Sequence, residues 1–218
     1  MKPLPGVEIE PTSPANAAVI WLHGLGANGH DFEPVVPQFK NAEKDLHFIF
    51  PHAPVQPVTI NGGMRMRSWY DIKMMDIGKM PDEQGIRDSE QKVLELIEAQ
   101  IKAGYQPSQI VLAGFSQGGA IALHTSTRMQ HQLAGVIALS CYLPMQELLS
   151  EEQSGKNLST PIFMGHGSQD PVVPYQLGQS SYQALKAAGY QVSWHEYPLQ
   201  HGVSMDELED IKRFVLSL

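Results

Sequence analysis

Short apolar runs and amphipathic stretches alternate along this chain. Ala17-Ala18-Val19-Ile20-Trp21-Leu22 is continuously apolar, as is the run from Ile110 to Ala113. Such runs mark strands buried on both faces, the habit of parallel sheets. Leu46–Pro51, Gly135–Ser140, Pro161–Gly167 and Gln191–Tyr197 read as further strands. Val7-Glu8-Ile9-Glu10 alternates apolar and charged residues, so it reads as a half-exposed edge strand. Between them lie helical patterns. Ile86, Val93, Leu94, Ile97 and Ile101 keep helical spacing between Gly85 and Gly104, and Pro107 bars continuation. A helix begins near Ala120, another runs from Tyr175 to Ala188, and Ser204 with Glu207 forms a capping-box pair opening the last one. Strands alternating with helices predict an α/β fold: a mostly parallel central sheet with helices on both faces. No repeat, linker or low-complexity tract divides residues 1–218, so a single domain is expected. Ligands of such sheets gather beyond the carboxyl ends of the strands.

That rule directs attention to strand ends. The run from Ile110 leads into Gly114-Phe115-Ser116-Gln117-Gly118 and then a helix. Strand, sharp turn and helix are the context of a G-x-S-x-G nucleophile elbow. Small flanking residues are needed where the backbone is so crowded, and the strain holds the Ser116 hydroxyl out over the sheet.

A serine hydroxyl needs a general base, and the base needs an acid to orient it; on this scaffold the chain order is Ser, acid, His. Among later histidines, His124 lies in the helix after the elbow and His131 just beyond it. His195 falls inside a strand, and His166 precedes the candidate acid. His201 occupies the loop between the last strand and last helix, and is the candidate base. Asp170 leaves a buried strand in Gly167-Ser168-Gln169-Asp170-Pro171 and is the candidate acid; Asp206 and Asp210 belong to the amphipathic last helix. The oxyanion hole needs two backbone N–H donors. Gln117, following the nucleophile, supplies one, and Leu25 in the loop His23-Gly24-Leu25-Gly26 supplies the other.

Rival chemistries fit less well. Gly24, Gly26 and Gly29 give G-x-G-x-x-G, but no acidic residue ends the next strand, as a dinucleotide site would want. There is no Gly-Lys-Ser/Thr and no H-E-x-x-H, and His23 and His30 are explained by their loop. No metal or cofactor is expected. The net charge of −8 argues against nucleic acid and anionic membranes as partners. The lone Cys141 allows no internal disulfide. No signal core and no bilayer-length apolar run is present, so a cytoplasmic monomer or homodimer without stable membrane insertion is expected.

Taken in order, Leu22–Phe32, Ala53-Pro54, Pro57–Gly63, Ser68-Trp69-Tyr70-Asp71, Gly114–Ala120, Gly165-His166-Gly167 and Asp170–Pro174 resemble the carboxylesterase and acyl-protein thioesterase (phospholipase/carboxylesterase) family of α/β-hydrolases. The resemblance implies the α/β-hydrolase fold, the triad Ser116, Asp170 and His201, and oxyanion donors Leu25 and Gln117. Two positions depart from the family's habit: Arg67 stands where proline often precedes the serine, and Gly202 where serine often follows the histidine. By resemblance Trp69 lines an acyl groove. Residues 55–80 show few regular periods and carry Met64, Met66, Met74, Met75 and Met80. This stretch either packs as a cover or lines that groove with adaptable thioethers, Met64 and Met66 among them. Arg67 is expected to keep its charged head in solvent.

The function expected is a serine carboxylesterase that hydrolyses short- to medium-chain acyl esters or thioesters through an acyl-enzyme. A lysophospholipase or acyl-protein thioesterase uses the same chemistry on larger substrates. A non-catalytic binding protein would normally lack a triad member, and none is missing.

Overall fold

The computed structural model describes residues 4–11, 15–39, 45–74 and 80–218. Met75 lies outside them. The strands are β1 Gly6–Ile9, β2 Ala17–Leu22, β3 Leu46–Pro51, β4 Val55–Val58, β5 Met64–Arg67, β6 Ile110–Phe115, β7 Gly135–Leu139, β8 Ile162–Gly167 and β9 Val192–Tyr197. The helices are α1 Glu83–Lys102, α2 Gln117–Arg128, the short α3 Leu149–Glu152, α4 Tyr175–Ala187 and α5 Met205–Ser217. Seven strands form one sheet in the order β1-β3-β2-β6-β7-β8-β9. All neighbours are parallel except β1, which pairs antiparallel with β3 at the edge. The doubly covered α/β architecture read from the apolar runs is the one the chain adopts.

Period-two alternation sends neighbours in each strand to opposite faces. Ile20, Leu22, Ile110 and Leu112 join one cluster with Ile86 and Ile97 of α1, Ile121 of α2 and Leu185 of α4. Val19, Trp21, Val111 and Ala113 join the other, with Val36 and Phe39 of a 3-10 segment and Leu208, Ile211 and Val215 of α5. Each such side chain, buried whole, contributes about 1.5–3 kcal/mol. Central α2 is buried along its whole length, so its pattern carries no amphipathic face.

Three expectations are corrected. Residues 55–80 are not simply irregular: β4 and β5 form an antiparallel hairpin, with Val55 opposite Arg67 and Val58 opposite Met64. Proline at 57 breaks the alternation of β4, and the Met64-Arg65-Met66-Arg67 alternation of β5 spans only four residues. The Arg67 head is not free in solvent, because Nη1 donates to the Ala53 carbonyl at 2.9 Å. The capping box opening α5 is half formed. Ser204 Oγ accepts from the Glu207 N–H at 3.1 Å, but the Glu207 carboxyl turns inward, fully buried. It occupies the space left by Gly165 in β8, and neither oxygen has a partner within hydrogen-bonding range among the described residues. Burial pushes its pKa up to about 8.

Candidate active site

Ser116 stands between β6 and α2 with φ 55° and ψ −119°, a conformation L-residues rarely hold. Its N–H donates to Leu139 O at 2.8 Å, which fixes the turn to the neighbouring strand. The turn closes only because of its glycines. A Cβ on Gly114 would come within 2.4 Å of the Gly118 backbone, and one on Gly118 within 2.4 Å of Leu22 O.

His201 arrives in the loop between β9 and α5. The Ser116 hydroxyl donates to His201 Nε2 at 2.9 Å, and His201 Nδ1–H donates to Asp170 Oδ2 at 2.7 Å. Phe115 packs against the imidazole, ring centroids 4.8 Å apart. Asp170 leaves β8, and its second oxygen accepts from the N–H groups of Val172 at 2.8 Å and Val173 at 2.9 Å. Burial opposes its ionisation, but the bonds from His201, Val173 and Val172 prevail and hold the carboxyl below the ordinary aspartate range. So an ionised carboxylate faces Nδ1–H, which leaves Nε2 free to take a proton. The acid turn and the base loop are also laced together: Ser168 N–H donates to Tyr197 O and Gln169 N–H to Leu199 O.

The other histidines are placed elsewhere. His166 Nε2 donates to Val173 O at 2.9 Å beneath the acid turn. His195 stacks on Phe163 inside β9, His131 pairs with Glu98, and His124 is fully buried in α2 beside Glu90.

Leu25 lies in the loop after β2 and Gln117 opens α2, and neither N–H has an acceptor among the described residues. For Gln117 this follows from its place as the first residue of α2. The loop carrying Leu25 is braced from both ends. His23 is buried, its Nδ1–H donating to Gly24 O at 2.7 Å while Nε2 accepts from the Ala53 N–H at 3.0 Å. Burial lowers its pKa to about 4, so it stays neutral and keeps both bonds. Gly26 N–H donates to Arg67 O of the hairpin.

Sequence reasoning saw Gln117 only as a backbone donor. Its side chain knits the elbow to residues 68–70: Oε1 accepts from the Trp69 N–H at 2.8 Å, and Nε2 donates to Tyr70 O at 2.7 Å and Ser68 Oγ at 3.1 Å. Gln117 falling against Ser-Trp-Tyr had no local signal, since the partners are far apart in sequence. Trp69 is placed under this loop: it is 1% exposed, and Nε1–H donates to His23 O at 2.8 Å. It supports the oxyanion loop instead of forming an open groove wall. Met66 Sδ lies over Gly26, within 3.7 Å of where a Cβ would stand, and Met64 is 64% exposed.

Comparison with known proteins converges on one family. The phospholipase/carboxylesterase family profile matches residues 6–218. Acyl-protein thioesterase 1 of Cryptococcus neoformans is 37% identical over 96% of this chain and 95% of its own. Acyl-protein thioesterase 1 of Neurospora crassa is 40% identical over 91% of this chain and 85% of its own. The crystal structure of Arabidopsis thaliana SOBER1 superposes with a TM-score of 0.86 at 33% identity, covering 92% of this chain and 98% of that one. Among the described residues no helix is long and apolar enough to cross a membrane. With its profile match spanning nearly the whole sequence, the chain belongs to the phospholipase/carboxylesterase family of α/β-hydrolases and is a hydrolase of the serine type.

Proposed function

We propose that Ser116 is the nucleophile, His201 the general base and Asp170 its orienting acid in the hydrolysis of short- to medium-chain acyl esters or thioesters. The observation that carries this reading is the unbroken hydrogen-bonded path from Ser116 Oγ through His201 to Asp170 Oδ2. His201 Nε2 takes the Ser116 proton as Oγ attacks the acyl carbonyl. The oxyanion so formed accepts from the Leu25 and Gln117 N–H groups. Collapse of this intermediate breaks the ester or thioester bond, and His201 returns the proton to the departing oxygen or sulfur. Water then repeats the sequence on the acyl-enzyme, and Ser116 regains its proton. Asp170 stays ionised throughout and holds the imidazole in the needed tautomer.

Met64 and Met66 on the hairpin are the proposed acyl contacts. Met66 is supported by its position over the oxyanion loop, and Met64 by its exposure. We place the whole chain in one domain, which the single seven-stranded sheet supports, acting in the cytoplasm as monomer or homodimer. A larger acyl-protein substrate is the second reading, favoured by relatives that are themselves named acyl-protein thioesterases.

A fluorophosphonate probe tests the chemistry. The adduct is expected on Ser116, and Ser116→Ala or His201→Ala should lose roughly three or more orders of magnitude in turnover while folding normally. Labelling elsewhere, or an active His201→Ala, overturns the assignment. A graded series of acyl esters, acyl thioesters and S-acylated peptide separates the two substrate readings.

A further inference from the structure

A second cluster of chemically capable side chains lies at the opposite end of the sheet. Glu8 and Glu10 flank Ile9 on the edge strand, and a two-residue step puts them on one face. In the antiparallel register Ile9 faces Phe48, so the next residue along, Glu10, falls opposite His47 of β3, with Glu8 diagonal to it. His47 Nε2 is 3.8 Å from Glu8 Oε2 and 3.7 Å from Glu10 Oε1. One ligand atom from each residue lies within 4.8 Å of the others.

Two features set this group apart from a solvated acidic edge. His47 is only 6% exposed, held against Tyr105 with ring centroids 5.9 Å apart, and so is aimed at one place. Its Nε2 is buried yet has no hydrogen-bond partner among the described residues, because both carboxylates stand beyond hydrogen-bonding range. An orphaned buried nitrogen between two carboxylates wants a shared centre. Ligand atoms about 2.1 Å from a tetrahedral ion lie about 3.4 Å apart, so the three atoms, now within 4.8 Å of one another, need to close by about an ångström, which side-chain rotation of two exposed glutamates supplies.

We infer that Glu8, Glu10 and His47 form a divalent-cation site that fastens the edge strand β1 to β3. Imidazole with two carboxylates suits zinc, whereas magnesium and calcium prefer all-oxygen shells. Three protein ligands leave a fourth position to water. Strand pairing assembles the set from residues almost forty apart, so no short metal motif announces it. His47 is level with Ile110 through Ala18 of β2, whereas Ser116 lies six residues further along β6. That is about 20 Å, so the ion touches no reacting atom.

Zinc chloride titrated by calorimetry into the metal-free full chain tests the site. One zinc per chain is expected, with a rise in melting temperature. Affinity should fall on the order of tenfold or more in His47→Gln and in the double variant Glu8→Gln/Glu10→Gln. The glutamates are exposed, so the double variant folds irrespective of metal, and metal-free turnover of both variants should match wild type. Zinc binding undiminished in either variant, or absent from wild type at zinc well above the protein concentration, overturns the proposal.

Discussion

The Gln117 side chain holds the Trp69 main chain at 2.8 Å, while the Gln117 N–H has no acceptor among the described residues. One residue thus anchors the segment under the oxyanion loop and presents a donor to the site. The position of the donor depends on the anchor.

Gln117→Ala keeps the backbone N–H but releases that anchor. Turnover is expected to fall about tenfold, less than the 10²–10³ lost when an oxyanion donor is removed outright. KM should change little, because the acyl contacts are untouched. Pre-steady-state acylation with a chromogenic ester separates the two constants.

Trp69→Ala should act through the same loop. It empties a fully buried space and frees the His23 carbonyl, so a loss of about 3–5 kcal/mol in unfolding free energy is expected. The ratio of kcat/KM for short and long esters should hold steady while both values drop. Denaturant unfolding and a chain-length series give the two measurements; a large change in that ratio would mark Trp69 as a groove residue.

Glu207 gives a pH signature. Its folded pKa, about 8, is above the ordinary glutamate value, so the folded chain keeps a proton that the unfolded chain has released. The sign is therefore destabilising: stability contributed at this position is greatest below about pH 4.5, declines as pH rises, and levels off above pH 8. Glu207→Gln removes the titration. Its melting temperature should match wild type near pH 5 and exceed it by several degrees at pH 8–9, at roughly 2–4 °C per kcal/mol for a chain of this size. Differential scanning fluorimetry across that range reads the difference.

The sheet and the meeting of Ser116, His201 and Asp170 were legible from strand ends and chain order. Ile110–Ala113 announces a buried strand, and Gly114 and Gly118 announce a turn no Cβ could enter. Chain order then separated His201 and Asp170 from rivals that have evident structural places. The hairpin was hidden because Pro57 breaks the period of one strand and the other alternates over only four residues. The Gln117 clamp, the supporting place of Trp69 and the inward turn of Glu207 were hidden for another reason. Each depends on which distant backbone lies opposite, and composition does not encode that. The missing side chain of Gly165 explains the Glu207 carboxyl, but only once β8 and α5 are seen in contact.

The lacing between the Asp170 turn and the His201 loop has a mechanical consequence. The Asp170 turn follows β8, which is paired on both sides, and the His201 loop follows β9, which among the described residues has a neighbour on one side only. Ser116 hangs from β6 in the centre, beneath a helix with no exposed turn. Border strands open at lower free energy than central ones. With the proposed triad, fraying of β9 is expected to carry the His201 loop away first and to leave Ser116 in place without its base. Activity is therefore expected to fall on heating, through this rim, before the central strands come apart.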